Sequence, residues 1–225
     1  SAIFNNILFR ENGIVFPSSI IASSVILNFL SQLNRYLKNK NYNFHLFIIM
    51  FLTIFIFYKI NRYSEFGNDA PAHIFLFYVI SKFLYLKNYS TKQIWNFYNY
   101  SVFCFLNKIF FIFIFIIPFF LLLKKPNSLK KLILSVPSLV IFLWLIKNVL
   151  ISGCMIYPMK ITCFENLSWV NINTVEKVQI EGEAWAKAWP QNQNSTLNME
   201  DFSKNFNWIE SWSSNHLLFI LKTIV

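Results

Sequence analysis

Arg62-Tyr63-Ser64-Glu65-Phe66-Gly67-Asn68-Asp69-Ala70-Pro71-Ala72-His73 stands between two apolar runs, Phe44 to Ile60 and Ile74 to Leu86. Two carboxylates and a histidine therefore sit where a greasy chain turns round. Charges there cost several kcal/mol if driven into hydrocarbon, so the turn belongs in an aqueous interface or a water-filled cavity. The flanking runs then read as membrane segments. The fold class expected is all-α: a polytopic integral membrane helical bundle with interfacial helices and one extracytoplasmic loop or cap.

Composition points the same way. The chain is 56% hydrophobic, 20% aromatic and 13% charged, with mean hydropathy +0.45; a soluble domain is about 25% charged. Phe at 27 and Gly at 4 favour apolar helices over glycine-punctuated sheet. A formal charge of +10 would suggest nucleic acid in a soluble protein. Here Lys and Arg cluster in short loops beside apolar runs, as the positive-inside bias requires. No basic stripe with interleaved exposed aromatics lies outside those runs, so no nucleic-acid partner is expected.

Working outward from the turn, Pro17 to Leu33 opens on a proline suited to a first helical turn. Its serines (Ser18, Ser19, Ser23, Ser24) allow close helix approach, and a span is expected over about 17–34. Arg35, Lys38 and Lys40 make the next loop cytoplasmic. A second span over about 43–61, with Lys59 snorkelling, puts Arg62 to His73 on the far side. Ile74 to Leu86 is short and contains Lys82. If it crossed, a following span over 107–123 would leave Lys124, Lys125, Lys130 and Lys131 outside. Laying 71–86 and 91–106 along the outer surface as interfacial helices removes that conflict. Tyr85, Tyr89, Trp95, Tyr98 and Tyr100 suit the headgroup layer, although Lys82, Lys87 and Lys92 then lie on the outer side. Spans are expected over 107–123, kinked at Pro118, and over 132–150.

Residues 151–213 read as an extracytoplasmic Trp-rich loop, carrying Trp169, Trp185, Trp189, Trp208 and Trp212. Its acids (Glu165, Glu176, Glu181, Glu183, Glu200, Asp201, Glu210) outnumber its lysines (Lys160, Lys177, Lys187, Lys204). A helix is expected over Glu176 to Trp189, ended by Pro190. Residues 214–225 look like the start of a further span. The chain begins at Ser1 without Met, so an internal fragment of a longer multi-pass protein is the expectation. Cys104 reads as a packed thiol. Cys154 and Cys163 share the outer loop, where a disulfide and a free pair both remain open.

The chemistry concentrates on the opening stretch. Asp69 precedes Pro71 and can cap a helix. It can equally act as general base for a hydroxyl acceptor at the membrane surface. His73, four residues on, falls on the same helix face and can bind a metal, pair with Asp69 or contact phosphate. Two ligands do not make a metal site, so a divalent metal ion as cofactor needs further donors. Glu65 is a weaker catalytic candidate. Arg62 and Arg10 are outer-side cations suited either to a lipid pyrophosphate or to headgroup anchoring. Glu183 and Lys187 form an i, i+4 pair, and Trp185 with Trp189 reads as a core stripe rather than a sugar platform. No P-loop, dinucleotide turn, His-Glu-x-x-His or CxxC motif is present.

An acid in an outer loop, interfacial helices and then more spans is a layout similar to the polyprenyl-phosphate-sugar-dependent membrane glycosyltransferases, the GT-C superfamily. Gly67 to His73 resembles their Asp-x-x-x-His type of first-loop motif. Ser152-Gly153-Cys154-Met155-Ile156-Tyr157-Pro158, Thr162-Cys163-Phe164, Leu167-Ser168-Trp169 and Glu183-Ala184-Trp185-Ala186-Lys187 resemble an uncharacterised bacterial multi-pass family associated with that superfamily. The resemblance implies sugar transfer from a polyprenyl-phosphate-sugar donor to a glycan or lipid acceptor, at the outer face of a bacterial inner membrane. Asp69 would activate the acceptor, and Arg62 or Arg10 with His73 would hold the leaving phosphate. Members carry an acidic motif in an earlier outer loop, which would fall upstream of Ser1 and leave Asp69 a second-site or structural residue. Two rivals stand beside this reading. A lipid-linked glycan transporter, flippase or polymerase wants polar groups at mid-membrane depth, and the span centres carry almost none. A non-catalytic membrane assembly subunit would use the Trp-rich loop for docking.

Overall fold

The computed structural model describes residues 15–40, 42–65, 69–86, 90–189, 198–217 and 220–221, with the side chains at 15–17, 60–65 and 69 outside the description. The described residues are mostly helical, with no strand among them beyond an isolated bridge between Cys154 and Cys163. The chain forms two compact units, 1–141 and 142–225; the division falls inside one helix, Val136–Ser152.

The first unit is built from segments that run alternately up and down. Helix α1 (Val15–Lys38) turns at Asn39–Lys40 and returns as α2 (Phe44–Glu65). α3 (Asp69–Leu84) lies antiparallel to α2: His45 near the start of α2 meets Ser81 near the end of α3, and Phe55 meets Phe77. α4 (Thr91–Asn107) is antiparallel to α3, through Phe83–Phe97, Tyr78–Tyr100 and Phe75–Phe103. A 3-10 segment, Ile109–Phe115, and α5 (Ile116–Lys124) then run back along α4, tied by the Ser101 hydroxyl on the Ile114 carbonyl and Ser128 on Thr91.

This arrangement differs from the expected surface helices over 71–86 and 91–106. Ala72, Ile74, Leu76 and Val79 leave no polar face on α3, so it is covered by α1, α2 and α4. Ile94, Phe97, Val102, Cys104 and Phe105 do the same for one face of α4. The expected kink at Pro118 is also displaced. Pro118 lies in the first turn of α5, where its missing N–H has no helical partner to lose. The departure from α-geometry is the 3-10 segment, with Phe111 at φ −80, ψ 16. In a 3-10 helix the i and i+3 side chains eclipse, and the Phe110 and Phe113 rings accordingly meet edge to face at 5.9 Å.

Much of the outer surface of this unit is apolar. On α2, Phe47, Phe51, Ile54 and Phe57 are half exposed or more, on the face opposite Leu46, Ile49 and Ile56. Phe110, Ile112, Ile116, Phe119 and Leu123 continue the pattern. Among the described residues no single helix is long and apolar enough to cross a membrane; Ile109–Lys124 with Pro126–Ile133 passes as a pair, bent by 117°.

The second unit begins within α7 (Val136–Ser152), which follows a short α6 (Leu129–Ile133) in place of one continuous segment over 132–150. Gly153 ends α7 in the left-handed region at φ +72, and Cys154 and Cys163 are joined by a disulfide. α8 (Ile172–Ala186) starts earlier than expected, because Asn171 caps it through the Thr174 N–H. It ends where Ala188 turns to φ 63. Trp189 packs edge-on against Phe202 of α9 (Met199–Ser203) at 4.8 Å. Trp185, expected beside it in the core, is 51% exposed.

Candidate functional site

The hairpin joining α2 to α3 holds most of the residues singled out by sequence. Arg62 and Glu65 occupy the last turn of α2, and Asp69 is the first residue of α3. Their side chains lie outside the description, as does Arg10 altogether. Pro71 is tolerated in this first turn because its missing N–H is one a helix start leaves unpaired. Ala70 and Ala72 are buried, which lets neighbouring chain approach the helix start closely. His73 follows one turn after Asp69, which places their Cβ atoms about 5–6 Å apart on one helix face. Its ring is half-buried and edge-on to Phe111, with centroids 5.1 Å apart. The histidine is thus seated against the residue where the 3-10 segment leaves helical geometry. Because α4 ends beside α3's start, the Asn107–Lys108 turn belongs to this same end of the unit.

The opposite end carries a polar cluster that sequence reasoning missed. His45 is 7% exposed. Its Nε2 lies 3.0 Å from the Ser81 carbonyl and its Nδ1 2.9 Å from the Tyr36 hydroxyl. The carbonyl can only accept, so Nε2 carries the proton and Nδ1 accepts from Tyr36. The ring stacks on Tyr85 at 4.6 Å. A neutral imidazole therefore pins α1, α2 and α3 together and gives a second donor to the Ser81 carbonyl, which also accepts the Tyr85 N–H. Lys82, one residue further, sits 5.3 Å over the Tyr78 ring. The available signal was a polar residue inside each apolar run, His45 at the start of one and Lys82 near the end of another.

Basic groups gather at this second end. Arg35 and Lys38 lie in the last turn of α1, Lys40 in the turn that follows, Lys82 at the end of α3 and Lys92 at the start of α4. Ser128 against Thr91 brings the Lys124–Lys131 stretch to the same end. The carboxylates of the stretch that opens α3 are at the other. From His45 to Glu65, α2 is about 30 Å long at 1.5 Å per residue. Among the described residues no group of three or more His, Cys, Asp or Glu side chains is arranged to hold a metal ion.

In the second unit, Lys187 joins three neighbours. It pairs with Glu183, donates to the Ser203 carbonyl at 2.8 Å and lies 5.4 Å over the Trp208 ring. The Glu183–Lys187 pair expected on the surface is therefore also a tie between helices.

The chain belongs to the family described as Domain of unknown function (DUF8201), which matches it over residues 1–225. No curated protein and no solved structure matches it.

Proposed function

We propose that this chain is part of a multi-pass protein of a bacterial inner membrane that transfers a sugar from a lipid-phosphate donor during cell-surface glycan assembly. The observation that carries the reading is the separation of charge in the first unit. Basic turns gather at one end, and the Asp69–His73 stretch lies at the other. With the basic end cytoplasmic, Asp69 and His73 face outward, where a polyprenyl-phosphate-sugar presents its headgroup. The outward Phe and Ile faces support a lipid surround, since water-exposed apolar patches of this extent are unusual. The Cys154–Cys163 disulfide supports an oxidising compartment for the second unit. In this reading Asp69 takes the acceptor proton, with Glu65 nearby in sequence. His73 with Arg62 or Arg10 holds the departing phosphate.

Asp69→Asn and His73→Ala, expressed separately in the full-length protein, test the assignment. A glycan lost from the cell surface at normal membrane level of the Asp69 variant is the expected result; unchanged glycans in both variants would sink it. Topology has its own check. A cysteine at the exposed Asn127 should label only after the membrane is opened, with buried Cys104 silent.

A further inference from the structure

A cleft of about 420 Å³ opens at the basic end of the first unit, between the last turn of α3 and the first turns of α4. Tyr78, Lys82, Tyr85, Gln93, Asn96 and Tyr100 line it. Every one of these carries a hydrogen-bond donor, and none carries a negative charge. The Tyr78 and Tyr100 rings meet edge to face at 5.8 Å. Lys82 is half-buried, and its charged neighbours include another cation, Arg35. A half-buried ammonium ordinarily has an anionic partner, because desolvation otherwise goes uncompensated.

The sequence cannot supply that partner locally. No Asp or Glu occurs between Ala70 and Phe164, and none between Asn12 and Ser64. The acids nearest in sequence, Glu65 at the end of α2 and Asp69 at the start of α3, belong to the opposite end; α3 runs about 20 Å from Asp69 to Lys82 at 1.5 Å per residue. The apolar floor contributed by Phe97 leaves room for an alkyl or glyceryl portion beside the charge.

We propose that this cleft binds a phosphate-bearing anion, with Lys82 as its main charge partner, Arg35 adding to the positive field, and the Tyr and amide donors completing the oxygen contacts. The chemistry is shared by an anionic phospholipid headgroup and by free phosphate or pyrophosphate. The site lies at the other end of the unit from Asp69 and His73 and stands independently of the sugar-transfer reading.

The test uses the full chain purified in a neutral detergent, with short-chain phosphatidylglycerol, inorganic phosphate and pyrophosphate titrated separately, and short-chain phosphatidylcholine as control. Phosphatidylglycerol should bind wild type about ten-fold more tightly than Lys82→Gln, the loss of one charge-assisted hydrogen bond. Lys124→Gln, an exposed cation at the same end, should bind as wild type. Binding of inorganic phosphate or pyrophosphate that shows the same Lys82 dependence, without the lipid, keeps the site and assigns it a soluble ligand. Equal affinity of wild type and Lys82→Gln for all three anions overturns the proposal, as does equal loss in Lys124→Gln. Thermal unfolding of each variant without ligand checks folding. Should Lys82→Gln not fold, Arg35→Gln together with Tyr100→Phe is read by the same criteria.

Discussion

The two units of this chain solve the same problem, burying polar backbone, with different materials. In the first, helices are covered by other helices and the outward faces are Phe, Ile and Leu. Described side-chain hydrogen bonds there run mostly to backbone, and the one His–Tyr network sits at an end. In the second, helices are short and explicitly capped by Asn171 and Asn198, and surface ion pairs recur at Lys160–Glu176, Lys177–Glu181 and Lys204–Glu200. A disulfide adds a covalent tie. The difference lies in where charge stands: the first unit keeps it at its ends, and the second carries it along its surface.

The sharpest way to break the contrast is Gly153→Ala. A Cβ there would lie 1.8 Å from Val170 Cγ2, on backbone at φ +72. Backbone strain and overpacking together should cost about 4 kcal/mol. The expected signature is faster proteolysis of the second unit with the helical array of the first still protected. Equal loss of protection in both units would mean that they do not fold separately.

His45→Ala attacks the other side. It takes the imidazole acceptor from the Tyr36 hydroxyl and leaves the Ser81 carbonyl with the Tyr85 N–H alone. About 2 kcal/mol should be lost, read as a lower unfolding midpoint in detergent with protection of the second unit unchanged. A midpoint equal to wild type would show that the network merely fills space.

The smallest effect belongs to the exposed pair Lys204–Glu200. Lys204 holds the Glu200 carboxyl below its ordinary value of 4.5, and Glu200 raises the Lys204 ammonium above 10.5. The lowered acid contributes above its unfolded value and loses that contribution as pH falls through its folded one. The raised base contributes below its unfolded value and loses it as pH rises through its folded one. The pair is therefore fully formed between those limits. In Lys204→Gln, Glu200 should titrate in the ordinary carboxylate range by NMR, with the unfolding midpoint near neutrality almost unmoved.

Chain parity shows how far the sequence could be read. Lys124 to Lys131 had to share an end with Arg35 to Lys40, and the expected remedy was to lay two helices flat. Running both α3 and α4 lengthwise restores the same parity, since two reversals cancel. Charge alone does not separate these arrangements; contacts such as His45 to Ser81 do. His45 and Lys82 were visible as polar residues in apolar runs, but not that one end of the unit would gather them with Tyr36, Tyr85 and Tyr100. The disulfide, left open by spacing, is closed by the short bridge in which Met155 N–H meets the Thr162 carbonyl and Phe164 N–H the Gly153 carbonyl.

By itself the sequence determined helicity, because long Phe–Ile–Leu runs with few glycines satisfy their backbone internally. It also determined the segregation of charge, because carboxylates are confined to a few stretches. Tertiary structure alone decided which face of each helix is covered and which residues meet at each end. Apolar side chains attract without direction, so α3 has no sequence-coded partner. Its place is set by how the bulky rings of α1, α2 and α4 close around it.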